Sequence, residues 1–133
     1  MKREMVLLIS DDSTLVRNNL KRLLADVGSL RIFESRDIES TKTILKELSP
    51  DIMLLDLRMP GGTGLEIIKF IRSCGSKIII IVLSNIATVE SREKCLASGA
   101  DYFFDKSIEH REAISLIKTI VASGSTREEL VDE

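Results

Sequence analysis

Acidic and basic side chains follow three short apolar segments of the sequence. Asp11 and Asp12 follow the first segment, Asp56 follows the second, and Lys106 lies at the end of the third. Three carboxylates held close together repel one another, which raises their pKa values unless a cation lies among them. Carboxylate oxygens with open water positions suit Mg²⁺, and the lysine supplies a further positive charge. These residue types predict a magnesium site, provided that the fold brings the three segment ends together.

The segment before Asp56 is typical of a buried strand. Residues 52–55 form an unbroken apolar run that is too short for a helix, with Pro50 before it and Pro60 after it. Because Asp is depleted in strands, its position here needs a reason other than the fold. Open α/β sheets place their chemistry at the carboxyl ends of central strands. The alternative, that Asp56 caps a loop or turn, is common, and the charged ends of the other two segments weigh against it.

Strands alternate with helical patterns along the chain, which predicts βαβ units and a parallel sheet. The clearest strand is 77–83, whose continuous β-branched character is expected where helices cover both faces of a sheet. The last helix should run from about Ile108 to Ala122. We therefore predict an α/β fold with a doubly wound, five-stranded parallel sheet and five helices. In a parallel sheet the three charged segment ends converge on one edge.

The length of 133 residues predicts a single domain with a proper core. We place this domain at 1–124 and interpret 125–133 as a short acidic tail or the stub of a linker. Ser125 and Glu128 have the spacing of a capping box, so the tail has room for a turn or two of helix.

Composition excludes several classes of partner. The net charge of −2 gives no footprint for nucleic acid, and no apolar run approaches the roughly 20 residues that span a bilayer. The amino terminus leads directly into an apolar segment shorter than a signal-peptide core. Cys74 and Cys95 lack metal-ligand spacing, which favours two reduced thiols. We expect a cytoplasmic protein that binds neither nucleic acid nor membrane.

Taken together, these motifs resemble the receiver domain of bacterial two-component response regulators. The matching pieces are Asp11-Asp12, the segment 56–61, Ser84 at the end of a fourth strand, and Lys106. They occur in the family's order and spacing over residues 4 to about 122. A lone pair of aspartates would be a weak signal, whereas four pieces in register are specific. The resemblance implies the flavodoxin-like strand order 2-1-3-4-5.

The resemblance also implies how the acidic residues act. Asp56 would be the phosphoacceptor, which takes a phosphoryl group from a phosphohistidine donor and holds it as an acyl phosphate. Mg²⁺ would be the cofactor, bound by Asp11, Asp12 and Asp56 together with the backbone carbonyl of Arg58. The donor would be a sensor histidine kinase or a histidine phosphotransfer protein.

Three further residues would respond to the phosphoryl group. Lys106 would pair with Asp56 before transfer and with a phosphoryl oxygen after it, and Ser84 would donate its hydroxyl to another such oxygen. Phe103 stands where the family often has a switch aromatic, commonly Tyr, although a plain core aromatic is an equal alternative. The surface of 84–122, formed by the fourth helix, fifth strand and fifth helix, would then bind a downstream protein.

Two positions depart from the family pattern. Asn85 stands where a small residue is common, so its amide is expected to narrow access to the phosphate. Ser107 stands where many relatives have Pro, often after a cis bond; a cis bond before a non-proline residue costs about 3 kcal/mol. The sequence leaves open whether the peptide bond between Lys106 and Ser107 is cis or trans. Ser107 is predicted to cap the last helix.

Three classes of function compete. The first is a signalling receiver, not an enzyme beyond its own phosphorylation and slow autodephosphorylation. The second is a Mg²⁺-dependent phosphatase with an aspartyl-phosphate intermediate, whose Asp-x-Asp-x-Thr motif differs from the 11–14 sequence here. The third is a flavin carrier of flavodoxin type, a fold that holds the flavin phosphate in a Ser/Thr/Gly-rich loop after its first strand. This chain has the carboxylates of Asp11 and Asp12 there, which would repel the phosphate. Turnover of a generic phosphomonoester would favour the second class, and a coloured protein the third.

Overall fold

The computed structural model describes residues 4–131, and its centre is a parallel β-sheet. The five strands are β1 (Met5–Ser10), β2 (Leu30–Ser35), β3 (Ile52–Leu55), β4 (Ile79–Ser84) and β5 (Tyr102–Asp105). They lie in the order β2-β1-β3-β4-β5, and every neighbouring pair is parallel. The predicted doubly wound sheet and its strand order are confirmed.

Helices connect the strands in alternation with them. They are α1 (Thr14–Leu23), α2 (Ile38–Glu47), α3 (Gly64–Ser73), α4 (Val89–Ser98), α5 (His110–Ser123) and α6 (Arg127–Val131). The first five were predicted, and the short sixth lies in the segment interpreted as a tail with room for a turn or two of helix. None of the helices in the described chain has the length and apolar composition needed to cross a bilayer.

Helix α5 begins later than predicted, at His110, with Glu109 as its N-cap. The prediction that Ser107 caps this helix is wrong. Ser107 instead donates from its backbone nitrogen and its Oγ to Oδ1 of Asp105, over 2.9 and 2.6 Å. The peptide bond before Ser107 is trans, as are all the described peptide bonds.

Apolar side chains fill a core on each face of the sheet. Helices α1 and α5 cover one face through residues such as Leu20 and Ile117, and α2, α3 and α4 cover the other through residues such as Ile67 and Cys95. All residues of β3 and β4 are buried. This double covering explains why unbroken apolar runs mark these strands. It also fixes their register, since a slip of one residue would exchange the two faces.

The strand register brings the charged residues to one edge of the sheet. Ser10, the last residue of β1, lies beside Leu55, the last residue of β3. The backbone nitrogen of Asp56 donates to the carbonyl oxygen of Ser10 over 2.9 Å. Across the sheet, the backbone nitrogen of Lys106 donates to the carbonyl oxygen of Ser84, also over 2.9 Å. The convergence expected of a parallel sheet is therefore present.

A short hairpin that the sequence analysis did not predict follows Asp56. Residues Arg58–Met59 pair with Gly62–Thr63 in antiparallel orientation, and α3 begins at the next residue, Gly64. A Cβ atom at Gly64 would lie 2.7 Å from the carbonyl oxygen of Asp56, too close for any other residue at this backbone position. The Gly64 nitrogen donates to the carbonyl oxygen of Leu57 over 2.8 Å. This close approach fixes the hairpin against the end of β3.

The described part of the tail contacts the rest of the chain. Arg127 donates from Nε to Oδ1 of Asp101 over 2.7 Å, and the Oδ2 atom of the same carboxylate lies 3.0 Å from Nη2 of Arg72. The Asp101 side chain is only 5% exposed. Leu130 packs against the core between the sheet and helices α1 and α5. Helix α6 is therefore docked through both a buried carboxylate and an apolar contact.

Candidate functional site

Three carboxylates meet at the carboxyl edge of the sheet. Asp11 follows β1 and is 3% exposed, Asp56 follows β3 and is 8% exposed, and Asp12 is exposed. One oxygen from each of these side chains lies within 4.8 Å of the others. The structure thus brings together the three aspartates that the sequence singled out, two of them inside the protein and one facing solvent.

This set of oxygens fits a divalent cation. Three ionised carboxylates facing one lysine leave surplus negative charge, which repels itself unless a cation is bound. Hard oxygen ligands on one side, with solvent access through Asp12, match the preference of ions that keep several waters. Arg58 begins the hairpin, and its backbone nitrogen donates to Oδ1 of Asp56 over 3.3 Å. The Asp11, Asp12 and Asp56 cluster is a candidate metal site.

Lys106 lies between the two buried carboxylates. Its Nζ atom is 2.6 Å from Oδ2 of Asp11 and 3.3 Å from Oδ2 of Asp56. Burial acts to lower the pKa of the Lys106 ammonium, but the hydrogen bond to Asp11 and the charges of Asp56 and Asp11 outweigh burial, so the pKa is raised. The lysine is therefore held as a cation inside the site, and its pairing with Asp56 is shared with Asp11.

The surroundings of Asp56 disfavour its ionised form and so favour a bound cation. Burial raises the pKa of its carboxyl above the ordinary value, and the nearby charge of Asp11 raises it further. The charge of Lys106 and the hydrogen bond from the Arg58 backbone act in the opposite direction but do not compensate fully. An ionised Asp56 is consequently under electrostatic strain that a bound cation would relieve.

The loop carrying Asp11 is held by residues that the sequence analysis did not assign to the site. The Arg17 side chain donates from Nη1 to the carbonyl oxygen of Asp11 over 2.6 Å and from Nε to Oε1 of Glu34 over 3.0 Å. Lys21 donates to the other Glu34 oxygen over 2.9 Å. The backbone nitrogen of Ser13, the N-cap of α1, donates to Oδ1 of Asp11. These contacts orient Asp11. In the sequence they are indicated only by the polar residues on one face of α1 and by the charged residue Glu34 in β2.

Ser84 is the last residue of β4 and is almost completely buried. Its Oγ accepts a hydrogen bond from the backbone nitrogen of Ile86 over 3.0 Å. A hydroxyl that accepts in this way can still donate its own proton to another acceptor. Asn85, the residue that departs from the family pattern, is exposed beside it.

Phe103 lies in the core on the α2, α3 and α4 side of the sheet and is 3% exposed. Its neighbours Tyr102 and Phe104 point to the other face and stack with ring centroids 6.4 Å apart, as strand alternation requires. On the Phe103 side, the guanidinium carbon of Arg92 lies 5.2 Å from the centroid of the Phe103 ring. The side chain is thus a buried aromatic covered by a cation.

The structure has a flavodoxin-like sheet with three aspartates and a lysine at its carboxyl edge, and comparisons with known proteins identify the family. The sequence pattern described as "Response regulator receiver domain" matches residues 7–118. The chain belongs to this family. Receiver domains of response regulators act in two-component signalling with histidine kinases or phosphotransfer proteins, generally as signalling rather than catalytic units.

Curated relatives agree with this assignment. The chain is 28% identical over 116 residues to the response regulator GacA of Pseudomonas aeruginosa, covering 86% of this chain and 54% of GacA. It is 29% identical over 117 residues to the phosphate regulon transcriptional regulatory protein PhoB of Escherichia coli, covering 86% and 51%. The chain spans about half the length of these curated relatives.

Solved structures show the same fold. The receiver domain of the Francisella response regulator 1452 superposes with a TM-score of 0.82 at 20% identity, over 91% of this chain and 99% of that one. The signal receiver domain of the putative response regulator NarL from Mycobacterium tuberculosis gives a TM-score of 0.80 at 25% identity, over 90% and 98%.

Proposed function

We propose that this receiver domain accepts a phosphoryl group on Asp56 from the phosphohistidine of a sensor histidine kinase or a histidine phosphotransfer protein. The observation that carries the proposal is the buried Asp56 carboxylate, which shares a 4.8 Å cluster with Asp11 and Asp12 and lies 3.3 Å from Nζ of Lys106. A purely structural carboxylate would not need two more acids beside it.

The chemistry follows from this placement. An Asp56 oxygen attacks the phosphorus atom, the bond from phosphorus to the donor's histidine nitrogen breaks, and that nitrogen keeps the electron pair. Phosphoryl transfer requires mainly alignment and charge stabilisation from the protein. Lys106, already within the site as a cation, stabilises the charge on the phosphoryl oxygens. The Lys106 ammonium and the backbone nitrogen of Arg58, which both contact the Asp56 carboxylate, keep the acceptor oriented.

We assign Mg²⁺ as the cation. Asp11, Asp12 and Asp56 would hold it with the backbone carbonyl of Arg58, and when bound it would neutralise the phosphoryl oxygens and the acidic cluster together. Support comes from the three oxygens within 4.8 Å and from their surplus of negative charge.

The phosphorylated state would be recognised on the surface of residues 84–122. Ser84 and Lys106 are the two groups that gain contact with phosphoryl oxygens, and each leads directly into a part of this surface. Ser84 Oγ, which accepts a hydrogen bond from the backbone nitrogen of Ile86, would donate its own proton to a phosphoryl oxygen, drawing the segment before α4 inward. Phe103, which lies in β5 on the side of the sheet covered by α2, α3 and α4, is the aromatic whose position would change. A downstream protein binds the altered surface formed by α4, β5 and α5.

We propose that the domain comprises the fold up to residue 124 with the docked tail as its carboxyl-terminal extension, and that it acts in the cytoplasm. Its catalysis would be limited to its own phosphorylation and slow autodephosphorylation. The domain would bind its partner proteins and neither nucleic acid nor membrane.

Beryllofluoride, an anion that mimics an aspartyl phosphate, tests the proposal. With Mg²⁺, it should bind the wild-type protein and fail to bind an Asp56→Asn variant. Amide hydrogen exchange with and without the anion should change most in residues 84–122, apart from the loop that carries Asp56. Equal binding by the Asn variant would overturn Asp56 as acceptor, and changes concentrated in α1 and α2 would overturn the proposed output surface.

A further inference from the structure

Three buried hydroxyl groups lie between the sheet and α2, next to the acidic site. Ser10 is the last residue of β1, Ser35 is the last residue of β2, and Thr41 lies near the start of α2. All three residues are buried, Ser10 and Thr41 completely. The Oγ atoms of Ser10 and Ser35 are 2.5 Å apart, and Ser35 Oγ is 2.8 Å from Oγ1 of Thr41. We call these three groups the hydroxyl chain.

The contacts of the hydroxyl chain indicate the direction in which it donates. Thr41 Oγ1 donates to the carbonyl oxygen of Asp37 over 2.6 Å, and its contact with Ser10 Oγ is longer, at 3.5 Å. Each hydroxyl proton then has a close acceptor if Ser35 donates to Thr41 and Ser10 donates to Ser35. Removal of the Thr41 hydroxyl would therefore leave the Ser35 proton without this acceptor, inside the protein.

The two serines also hold the buried site aspartates through their backbones. The carbonyl oxygen of Ser10 accepts a hydrogen bond from the backbone nitrogen of Asp56 over 2.9 Å. The carbonyl oxygen of Ser35 accepts one from the backbone nitrogen of Asp11 over 3.0 Å. Each serine thus contacts one site aspartate through its backbone and the hydroxyl chain through its side chain. A shift of either serine would move a carboxylate of the acidic cluster.

The start of α2 also contacts the segment that follows Asp56. The backbone nitrogen of Ile38, the first residue of α2, donates to the carbonyl oxygen of Pro60 in the hairpin over 3.1 Å. The N-cap Asp37 accepts a hydrogen bond from the backbone nitrogen of Ser40 over 2.7 Å, which fixes this end of the helix. Helix α2 is therefore connected to the segments on both sides of the site.

The stability of the fold alone does not account for three buried hydroxyl groups. Replacing all members of a hydrogen-bonded group by apolar groups of similar shape can be nearly neutral for stability. A fully satisfied polar network adds rigidity, because hydrogen bonds require particular distances and angles whereas apolar contacts do not. Such rigidity matters most where the neighbouring backbone carries metal ligands.

We propose that Thr41 is a positioning residue of the metal site. It acts through Ser10 and Ser35 and so sets the spacing of the two buried carboxylates. This inference rests on the proposed function, in which those carboxylates bind Mg²⁺. Ligands that are already held in place lose less conformational freedom when a cation binds them. Loss of the Thr41 hydroxyl should therefore raise the Mg²⁺ concentration that is needed to fill the site.

Calorimetric titration with Mg²⁺ is the first measurement. Thr41→Val keeps the shape of the side chain without its hydroxyl and should bind Mg²⁺ about three- to tenfold more weakly, a smaller loss than that for direct partners of metal ligands. Thr41→Ser keeps the hydroxyl and should stay near the wild type. Thr43→Val is the matched control, because the exposed Thr43 donates to the carbonyl oxygen of Glu39 four residues before it, as Thr41 does to Asp37.

A triple variant separates positioning from stability. Combining Ser10→Ala, Ser35→Ala and Thr41→Val removes every member of the hydroxyl chain, so that none is left buried without a partner. Its midpoint in urea denaturation should lie closer to the wild type than that of Thr41→Val alone. Its Mg²⁺ affinity should nevertheless be at least as weak as that of Thr41→Val. Recovery of wild-type Mg²⁺ affinity together with stability would overturn the positioning role.

Amide hydrogen exchange without Mg²⁺ tests the positioning itself. In Thr41→Val the backbone amides of Asp11 and Asp56 should exchange faster than in the wild type. The amide of Asp101, which donates to a carbonyl oxygen at the amino-terminal edge of the sheet, should be unchanged. A merely structural role would accelerate the exchange of all three amides, because it would lower the stability of the whole fold.

The outcomes distinguish this inference from the proposed function. Unchanged Mg²⁺ affinity in Thr41→Val, or equal losses in Thr41→Val and Thr43→Val, would overturn the role of Thr41 alone. Uniform acceleration of amide exchange would overturn it as well. Failure of the wild type to bind Mg²⁺ would instead contradict the proposed function, and amide exchange of the metal-free proteins would still decide whether Thr41 positions Asp11 and Asp56.

Discussion

Lys106 lies closer to Asp11 than to Asp56: its Nζ atom is 2.6 Å from the Asp11 carboxylate and 3.3 Å from that of Asp56. The ammonium group of Lys106 is therefore shared by two buried carboxylates. The shorter contact is with Asp11, whereas the proposed acceptor is Asp56. Asp56 is left the less tightly paired of the two, consistent with its raised pKa. An acceptor that must form a new covalent bond benefits from such incomplete pairing.

Replacing Lys106 by Met should expose the competition between the lysine and a metal ion. Without its cation the cluster is left as repelling carboxylates, so the free energy of unfolding in metal-free buffer should fall by about 2 kcal/mol. Mg²⁺ should bind about tenfold more tightly, because one positive charge no longer opposes it. Calorimetric titration and urea denaturation measure the two effects. Lys118→Met, which removes an exposed partner of Asp26, should show neither; weaker Mg²⁺ binding by Lys106→Met would contradict this electrostatic interpretation.

Asp12→Ala should weaken Mg²⁺ binding, which we expect at roughly millimolar affinity in the wild type (~4 kcal/mol). Asp12 is exposed, so the fold should tolerate the change, and the loss of one carboxylate ligand should reduce affinity about tenfold or more. Phosphorylation should slow in parallel. Asp26→Ala removes an exposed acid outside the cluster and serves as control. Unchanged Mg²⁺ affinity in Asp12→Ala would show that the cation binds elsewhere.

Glu34→Gln should change how stability depends on pH. The hydrogen bond from Lys21, with help from Arg17, holds the pKa of Glu34 below its ordinary value of 4.5. A lowered pKa in the folded state gives stability that is present above the ordinary value and is lost as the pH falls through the lowered one. The wild type should therefore exceed Glu34→Gln by about 0.5–1 kcal/mol near neutral pH. In urea denaturation this difference should vanish in strongly acidic buffer; a difference that persisted there would argue against an ionic origin.

Arg127→Ala should destabilise the domain although it lies in the tail. The Asp101 carboxylate keeps Arg72 as a partner, so we expect a loss of about 1 kcal/mol, and deletion of 125–133 should cost more because Leu130 also leaves the core. The control is Lys77→Ala, which breaks the exposed pair with Glu128 and should have almost no effect. Equal stability of the wild type and the deletion variant would show that the tail is not part of the folded unit.

The sequence predicted the sheet, and it predicted which charged side chains lie together at the carboxyl edge of that sheet, because both depend on local signals. Apolar runs such as 52–55 identify strands, and a parallel arrangement places all carboxyl ends at one edge. That reasoning brought Asp11, Asp12, Asp56 and Lys106 together without knowledge of any distance.

The same signals do not describe how these groups share their contacts. The Lys106 bond to Asp11 spans 95 positions of the chain, and the Arg17 bond to Glu34 spans 17. Such pairings depend on the reach and rotamers of long side chains, which carry no periodic pattern. The hairpin of 58–63 was missed for a related reason, since strands of two residues are too short to show alternation.

Ser107 illustrates a local ambiguity. A serine a few residues before a helical pattern is a common N-cap, yet here its hydroxyl and backbone both bond to Asp105. Two geometries, a cap and a turn, use the same side chain, and only the position of the first helical residue decides between them.

The most direct measurement is phosphorylation of the intact protein by acetyl phosphate with Mg²⁺, followed by mass spectrometry. The wild type should gain one phosphoryl group, and peptide mapping should place it on Asp56. Asp56→Asn should gain none, and chelation of Mg²⁺ should suppress the gain in the wild type. A phosphoryl group on the Asn variant, or on a residue other than Asp56 in the wild type, would contradict the assignment of Asp56 as the phosphoacceptor.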